Sequence, residues 1–443
     1  MSSVTLTTNR TLRRVLLCLL YFCQGLPWGF ATIALLSMLS EAGHPKSATA
    51  AILAFATLPW TFKFFWAPMI DSLRMPSLGI RRPWIIIAQS CMALTLLGAV
   101  TSGQFESLET LTYLAWVFFV HNCFASLQDV ATDALAIDLL EDNERGRVNG
   151  MMWGSKILGI AVGGAGMATV IASSSIQTAV LVQVCILLAV LALVIAWRER
   201  PGERLLPWSP GSPQGNVKRS IGFLTTLREL KRALSTRTTA MLVLVGVTFV
   251  VSEGLYDPVT TEFFIQHLGW TAERFAQIQG TLGVAAELSG ALLGGFLCDR
   301  FGQRRIAVIG VLMSGATLLT FSLTSNSWDQ SWYPHVLLLP AFRGFMAMAT
   351  VSMFSLYMKV SWTKAAATQF TLYMTMNNIG YWFGTQMVKW FEGASFPVGL
   401  ADYYLVAGLL PLIPMILLFT FNPRGDESRQ QSETLEMLSA APD

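Results

Sequence analysis

The sequence predicts an all-α integral membrane protein, with twelve transmembrane helices in two pseudo-symmetric six-helix bundles. Three observations carry that prediction. Of 443 residues, 53% are hydrophobic and only 13% charged, where a soluble domain carries about 25% charged residues. Mean hydropathy is +0.52. Twelve apolar segments, each near the ~20 residues that a bilayer core demands, run roughly over 14–38, 47–67, 83–103, 110–138, 149–173, 177–197, 238–265, 272–297, 305–325, 332–358, 366–392 and 401–422. A long polar interval at 198–237 separates the first six from the last six.

The first run follows Arg10, Arg13 and Arg14 and has the outline of a signal peptide. It continues to Met38 without a small-residue cleavage pattern, so it is read as a retained first span. Placing the N-terminus in the cytoplasm lets the positive-inside rule test the remaining spans. Arg74, Arg81 and Arg82 follow the second span, and Arg145 and Arg147 the fourth. Nine basic residues fill the central interval; Arg300, Arg304 and Arg305 follow the eighth span, Lys359 and Lys364 the tenth, and Arg424 and Arg429 the twelfth. With the N-terminal three, 24 of 30 Lys and Arg fall on the cytoplasmic side. The outer loops keep little beyond Lys46 and Arg274. One span missed or added would invert this bias downstream of it.

The N-terminal bundle is therefore read as 1–197, the central cytoplasmic loop as 198–237, the C-terminal bundle as 238–422 and a cytoplasmic tail as 423–443. The central loop begins with turn formers, Pro201, Gly202, Pro207, Pro210, Gly211 and Pro213. Phe223, Leu227, Leu230 and Leu234 then recur at helical spacing among basic residues, the pattern of a helix lying on the inner leaflet. The tail is polar and reads as disordered.

The two halves repeat one another. Gln24-Gly25-Leu26-Pro27 in the first span corresponds to Glu253-Gly254-Leu255-Tyr256-Asp257-Pro258 in the seventh. Asp71, with Gly79, Arg81 and Arg82, corresponds to Asp299 with Arg300, Arg304 and Arg305. Nearly one offset relates both pairs, which argues for a duplicated unit. In the second loop, small residues such as Gly295 let helices approach closely. Asp299 near a helix C-terminus opposes the dipole and calls for a cation. Such a loop, pairing in one conformer and opening in another, makes a cytoplasmic gate from Asp71, Arg81, Arg82, Asp133, Gly295, Asp299, Arg300, Arg304 and Arg305; the plainer alternative is topology-setting charge.

At these residues the chain resembles the major facilitator superfamily, whose signature is the Gly-x-x-x-Asp-Arg-x-Gly-x-Arg-Arg loop. Tyr21 to Pro27, Lys63 to Asp71, Gln128-Asp129 to Asp133, Glu144-Arg145-Gly146 and Ala367 to Phe370 resemble the branch holding the muropeptide permease AmpG, the acetyl-CoA transporters and bacterial siderophore importers. The resemblance implies a central cavity that opens alternately to each side, walled mainly by spans 1, 4, 7 and 10, with transport driven by protons. The Gln-Gly-Leu-Pro start and the plain twelve-span length resemble the siderophore importers more closely, so a siderophore is the first expected solute and a muropeptide the alternative.

An ionisable residue at the bilayer centre costs about 2.5–3.5 kcal/mol on insertion scales, so each one is a functional candidate. Glu253, Glu287 and Arg343 fall near the middles of spans 7, 8 and 10; Asp129 and Asp133 lie on the cytoplasmic side of span 4. Asp129 with Asp133, and Glu253 with Asp257, are four apart and share a helix face. A carboxylate shielded from water holds its proton more readily. Glu253 and Asp129 are the leading proton carriers, followed by Glu287 and Asp257. The alternative is static pairing, with Asp129 or Asp133 held by Lys156. Arg343 can grip a solute anion through two parallel hydrogen bonds, or else pair permanently with Glu253 or Asp129. Gln24, His121, Asn122, Gln128, Tyr256, Gln369 and Asn377 complete the solute-binding candidates. A lone histidine such as His121 is also an ordinary packed residue, and aromatics such as Trp28, Trp60 and Trp153 also merely pack.

Other classes fit less well. No Walker loop, zinc spacing or nucleophile elbow is present, so no enzyme, metal or cofactor is expected. The six cysteines show no ligand spacing. A net charge of +3 is too near balance for nucleic-acid binding. A sensor would tolerate loss of the gate and the buried charges, yet both are present; an exporter of the same fold carries the same charges. The expected partners are a small organic solute, protons and the lipid bilayer, for a monomer in the cell inner membrane with both termini cytoplasmic.

Overall fold

The computed structural model describes residues 5–66, 69–70, 75, 77–101, 108–140, 142–211, 237–328, 332–360, 366–393 and 398–420. Among them the chain forms twelve helical rods. In the N-terminal half these are α1 (Arg10–Glu41), α2 (Lys46–Phe65), α3 (Arg82–Thr101), α4 (Leu108–Leu139), α5 (142–173) and α6 (Ile176–Ala196). In the C-terminal half they are α7 (Arg237–His267), α8 (272–301), α9 (Gln303–Leu323), α10 (Trp332–Val360), α11 (Ala366–Glu392) and α12 (Leu400–Thr420). Ten of the described helices are long and apolar enough to cross a membrane. The other two, α4 and α11, carry Asp129, Asp133, Asp138, Asn377, Asn378 and Lys389, polarity that the interior of a bundle can hold where lipid cannot.

Local chemistry sets the helix ends. Asn9, Ser175 and Thr271 accept a backbone N–H three residues on and so cap α1, α6 and α8. Gly302, at φ +89°, separates α8 from α9 in a conformation that other residues adopt only with strain. Four helices each contain one wide turn of the i→i+5 kind: α1 at Phe30–Leu35, α5 at Val162–Gly166, α7 at Phe263–His267 and α8 at Gln279–Gly283.

The repeat seen in the sequence reappears as packing. In α1, a Cβ added at Gly25 or Gly29 would strike the α5 backbone at Lys156 or Ile160; Gly159 and Gly163 of α5 answer them. In α7, Gly254 meets the α11 backbone at Tyr381, and Gly380 and Gly384 answer from α11. Gly25 and Gly254 thus hold equivalent places. Gly290 and Gly294 let α8 approach α10, whereas nothing lies within 4 Å of a Cβ at Gly295, so the expected role of Gly295 belongs to its neighbours.

The halves meet where α2 runs along α11 and where α5 and α1 meet α8. Apart from Asn378 of α11, which donates to the Trp60 carbonyl of α2 at 3.1 Å, the polar contacts between them gather at the face remote from the chain termini. There Lys46, at the start of α2, lies 3.1 Å from Glu262 of α7 and 3.4 Å from Glu392 of α11. The amides of Lys46 and Ser47 donate to the same two carboxylates. Gln266 donates to the carbonyls of Ser40 and His44.

On the other face the start of the central interval packs under the N-terminal half. Residue Thr5 bridges to Arg198, and Glu199 accepts the amides of Ile80, Arg81 and Arg82. Buried Arg82 donates to the carbonyls of Leu78, Val194, Ile195, Arg204 and Leu205. The amphipathic stretch at 223–234 and the tail lie outside the described residues, as does Asp71; nothing is described of the Asp299 side chain.

Candidate functional site

Apart from the set around Arg82 and Glu199 at the inner loops, the charges inside the described helices form two groups, one in each half. In the C-terminal half Arg343 of α10 reaches across to α7. Its Nη1 lies 2.9 Å from Glu253 and its Nη2 2.5 Å from Asp257. Tyr381 of α11 donates to the second oxygen of Asp257 at 2.6 Å. The guanidinium stands 5.3 Å from the centre of the Tyr256 ring, which stacks on Phe342. Glu253 and Asp257 are one turn apart, so a single planar fork engages both.

A small cavity of about 40 Å³ opens beside this pair, between Glu253, Glu287, Arg343, Met346 and Thr350 of the C-terminal half and Trp153 of α5. Glu287 lines it without a hydrogen bond or ion pair among the described residues. A larger cavity, about 310 Å³, lies at the remote face between Met38, Ala168 and Thr271. It touches none of the buried basic residues, so the smaller one is the candidate site.

In the N-terminal half Asp129 of α4 pairs with Lys63 at the end of α2, 3.4 Å away, and both are buried. Asp133 accepts the hydroxyl of Tyr21 from α1. The pairing of Lys156 with Asp129 or Asp133 is therefore corrected: each acid has another partner. Lys63 does not announce itself in the sequence as a buried cation, because it stands at the end of an apolar run, where a charge reads as a loop residue. Arg343 does pair with Glu253, but Asp257 takes its second arm, and Asp129 is not involved.

Most of the neutral solute-binding candidates turn into their own half. Gln24 donates to Gln128 at 2.8 Å, Gln128 to Gln89 of α3 at 3.1 Å, and Gln89 to the Leu187 carbonyl of α6 at 3.2 Å. This chain ties four helices together away from the cavity. His121, buried, donates from Nδ1 to the Met92 carbonyl of α3. Gln369 donates to Thr239 and Tyr373, and Asn377 accepts from Tyr357. Each of these five has a partner inside its own half, as a polar group in an apolar interior pairs with the nearest partner on a packed neighbour. Asn122 is different: it accepts from Trp60 Nε1 at 3.0 Å. Trp60 faces Trp28, and Trp28 faces Tyr381 across the boundary of the halves. Tyr256 is buried, with no hydrogen bond at its hydroxyl among the described residues.

Arg81, Arg82, Arg300 and Arg304 of the expected gate are engaged within their own halves, while Arg305 is exposed. Arg81 pairs with Asp138 at 2.9 Å, Arg82 clamps the end of α6, and Arg304 donates to the Phe419 carbonyl of α12. Arg300 lies over the ring of Phe301. Asp133, tied to Tyr21, belongs with the N-terminal charged group and not with that gate.

Residues 17–385 match the family model described as Major Facilitator Superfamily. The chain is 26% identical over 430 residues to the anhydromuropeptide permease of Escherichia coli K12, covering 94% of this chain and 82% of that one. It is 24% identical over 301 residues to putative transporter AmpG 4 of Rickettsia conorii, covering 66% and 68%. Among solved structures, the nucleoside transporter NupG superposes with a TM-score of 0.69 at 11% identity, and a D-xylose–proton symporter with 0.67 at 15%. Each of these two covers 92% of this chain and 98% of its own.

Proposed function

The chain belongs to the Major Facilitator Superfamily, and from that premise we propose that it imports anhydromuropeptides across the cell inner membrane by proton-coupled alternating access. The observation that carries the solute is the relationship to the anhydromuropeptide permease, which runs through 94% of the chain. The siderophore preference rested on one short motif and on length, so the muropeptide now stands first. The family resemblance supports placing both termini in the cytoplasm. The Lys46 contacts then close the outer face, and the central cavity is reached from inside.

The buried groups suggest a division of labour. Arg343 is held at the cavity by Glu253 and Asp257, ready to exchange one carboxylate of its own for a carboxylate of the solute. Protonation of Glu253 frees that arm, so proton and anionic solute arrive together. Glu287, facing the same cavity without a partner, is the second proton acceptor. Asp129 and Asp257 are held by Lys63 and by Arg343 with Tyr381, and serve as fixed counter-ions.

The test is uptake into proteoliposomes under an imposed inward proton gradient, with labelled anhydromuropeptide and a ferric siderophore panel offered in parallel. Gradient-dependent accumulation of the muropeptide, collapsed by a protonophore, is expected. Glu253→Gln is expected to lose the response to the gradient while retaining solute exchange. Accumulation of a siderophore in place of the muropeptide would overturn the reading.

A further inference from the structure

Lys156 of α5 is a half-buried cation on which Asp129 and Asp133 act through space without touching it. Asp129 is taken by Lys63 and Asp133 by Tyr21. Among the described residues no carboxylate lies within 4 Å of Lys156 Nζ. Three aromatic rings surround the ammonium instead: Trp60 at 5.1 Å, Trp153 at 5.4 Å and Tyr21 at 5.9 Å to their centres. Each ring face attracts a cation with about 2 kcal/mol when desolvated, which offsets much of the cost of withdrawing the ammonium from water. The rings accept no charge-assisted hydrogen bond, so the three N–H donors of Lys156 stay open to an anion.

Position says where that anion comes from. Trp153 is three residues from Lys156 on the same face of α5, and Trp153 lines the cavity shared with Arg343 and Glu287. The glycine contacts give the depth: Gly25 packs on the backbone of Lys156 as Gly254 packs on that of Tyr381. Lys156 thus stands in the N-terminal half where Tyr381, the partner of Asp257, stands in the C-terminal half. The rings of Trp60, Trp28 and Tyr381 make a continuous band between the two places.

We propose that Lys156 is a second anion-binding position, which takes a carboxylate of the transported solute from the N-terminal half while Arg343 faces it from the C-terminal half. The proposal rests on the reading of this cavity as the path of an anionic solute. A solute with two separated carboxylates would span the halves, and the aromatic band would cover its uncharged part. Closing the halves on such a solute satisfies both cations at once, which couples occupancy to the conformational change.

The test uses the full chain in detergent and two probes: labelled anhydromuropeptide, and the same compound with its peptide carboxylates converted to amides. Lys156→Met is expected to weaken binding of the free acid about 10- to 100-fold, the value of one charge-assisted hydrogen bond. It should leave the already weaker binding of the amide unchanged, and Lys156→Arg should keep the preference for the acid. Equal losses for both probes would mean that Lys156 only packs, and would overturn the proposal. A second arm needs no solute. In thermal unfolding of the empty protein, Lys63→Met should lower the midpoint, because it strands Asp129, whereas Lys156→Met should hold or raise it. A fall in Lys156→Met as large as in Lys63→Met would identify an internal counter-ion and overturn the proposal, whatever the protein carries. A wild type that binds a siderophore and no muropeptide would remove the muropeptide reading, and the unfolding arm would still decide the role of Lys156.

Discussion

Arg343 concentrates the electrostatics of the C-terminal half in one side chain. Removing it leaves Glu253 and Asp257 without their cation, and breaking a buried pair on one side costs about 3–5 kcal/mol. Arg343→Met is therefore expected to lower the unfolding midpoint sharply in detergent. The triple variant with Glu253→Gln and Asp257→Asn should recover most of that loss while remaining inactive in uptake. Arg343→Lys keeps the charge without the fork and should stay folded with at least a tenfold loss of transport, about the 1.4 kcal/mol of part of one charged hydrogen bond. These residues were legible because an ionisable group inside an apolar run is conspicuous at any helix rotation. Their partners were not. Whether Asp129 meets Lys63 or Lys156 depends on how α2, α4 and α5 are turned about their axes. Since α4 carries polar residues on more than one face, its sequence does not say that His121 points to α3.

At the scale of elements, glycines in one helix have opposite meanings. In α5, Gly159 lies against the α1 backbone, while nothing lies within 4 Å of a Cβ at Gly154. Gly159→Ala should sharply reduce folded yield by forcing α1 and α5 apart. Gly154→Ala should be neutral or stabilising by up to about 1 kcal/mol, from helix propensity alone; thermal unfolding separates the two. The segment under the N-terminal half responds to pH. Burial, reinforced by the charge of Glu199, raises the Glu203 carboxyl from its ordinary range to about 7. An acid raised on folding stabilises the folded form while protonated, and that contribution fades as pH climbs through 7. The attachment of residues 198–205 should be firmer at pH 5.5 than at pH 8, read as a difference in unfolding midpoint that Glu203→Gln flattens. The rods themselves were legible from apolar runs and from the loop charges that fix their number. The wide turns were not, because an i→i+5 turn follows from tertiary packing and leaves no mark on hydrophobic periodicity.

Across the whole molecule, closure at the remote face rests on a narrow base. Lys46 answers two carboxylates from two different helices of the other half and also stands 5.1 Å from the Tyr403 ring. A half-buried cation between two acids holds better than an exposed pair, which contributes ~1 kcal/mol or less. Replacing Lys46 with alanine should shift the population toward a conformer open at that face. A cysteine placed at Ser47 should then react faster with a membrane-impermeant thiol reagent than it does with Lys46 present, and the increase should shrink when Glu262→Gln and Glu392→Gln are added. Unchanged labelling would mean that Gln266 and the apolar contacts suffice to hold the halves together.

The wide turns of α1 and α7 lie just beyond Gly25 and Gly254, between the glycine contacts and the remote face. Each holds one residue more than an ordinary turn, and one residue is worth about 100° of rotation. Deleting Phe30 from α1 or Phe263 from α7 would leave the helix intact yet re-index everything past it: Ser40 in α1, or Gln266 at the end of α7, would swing from the partner half toward lipid. The inner and outer ends of these two helices are thus phased independently, and a one-codon deletion is enough to put them out of step.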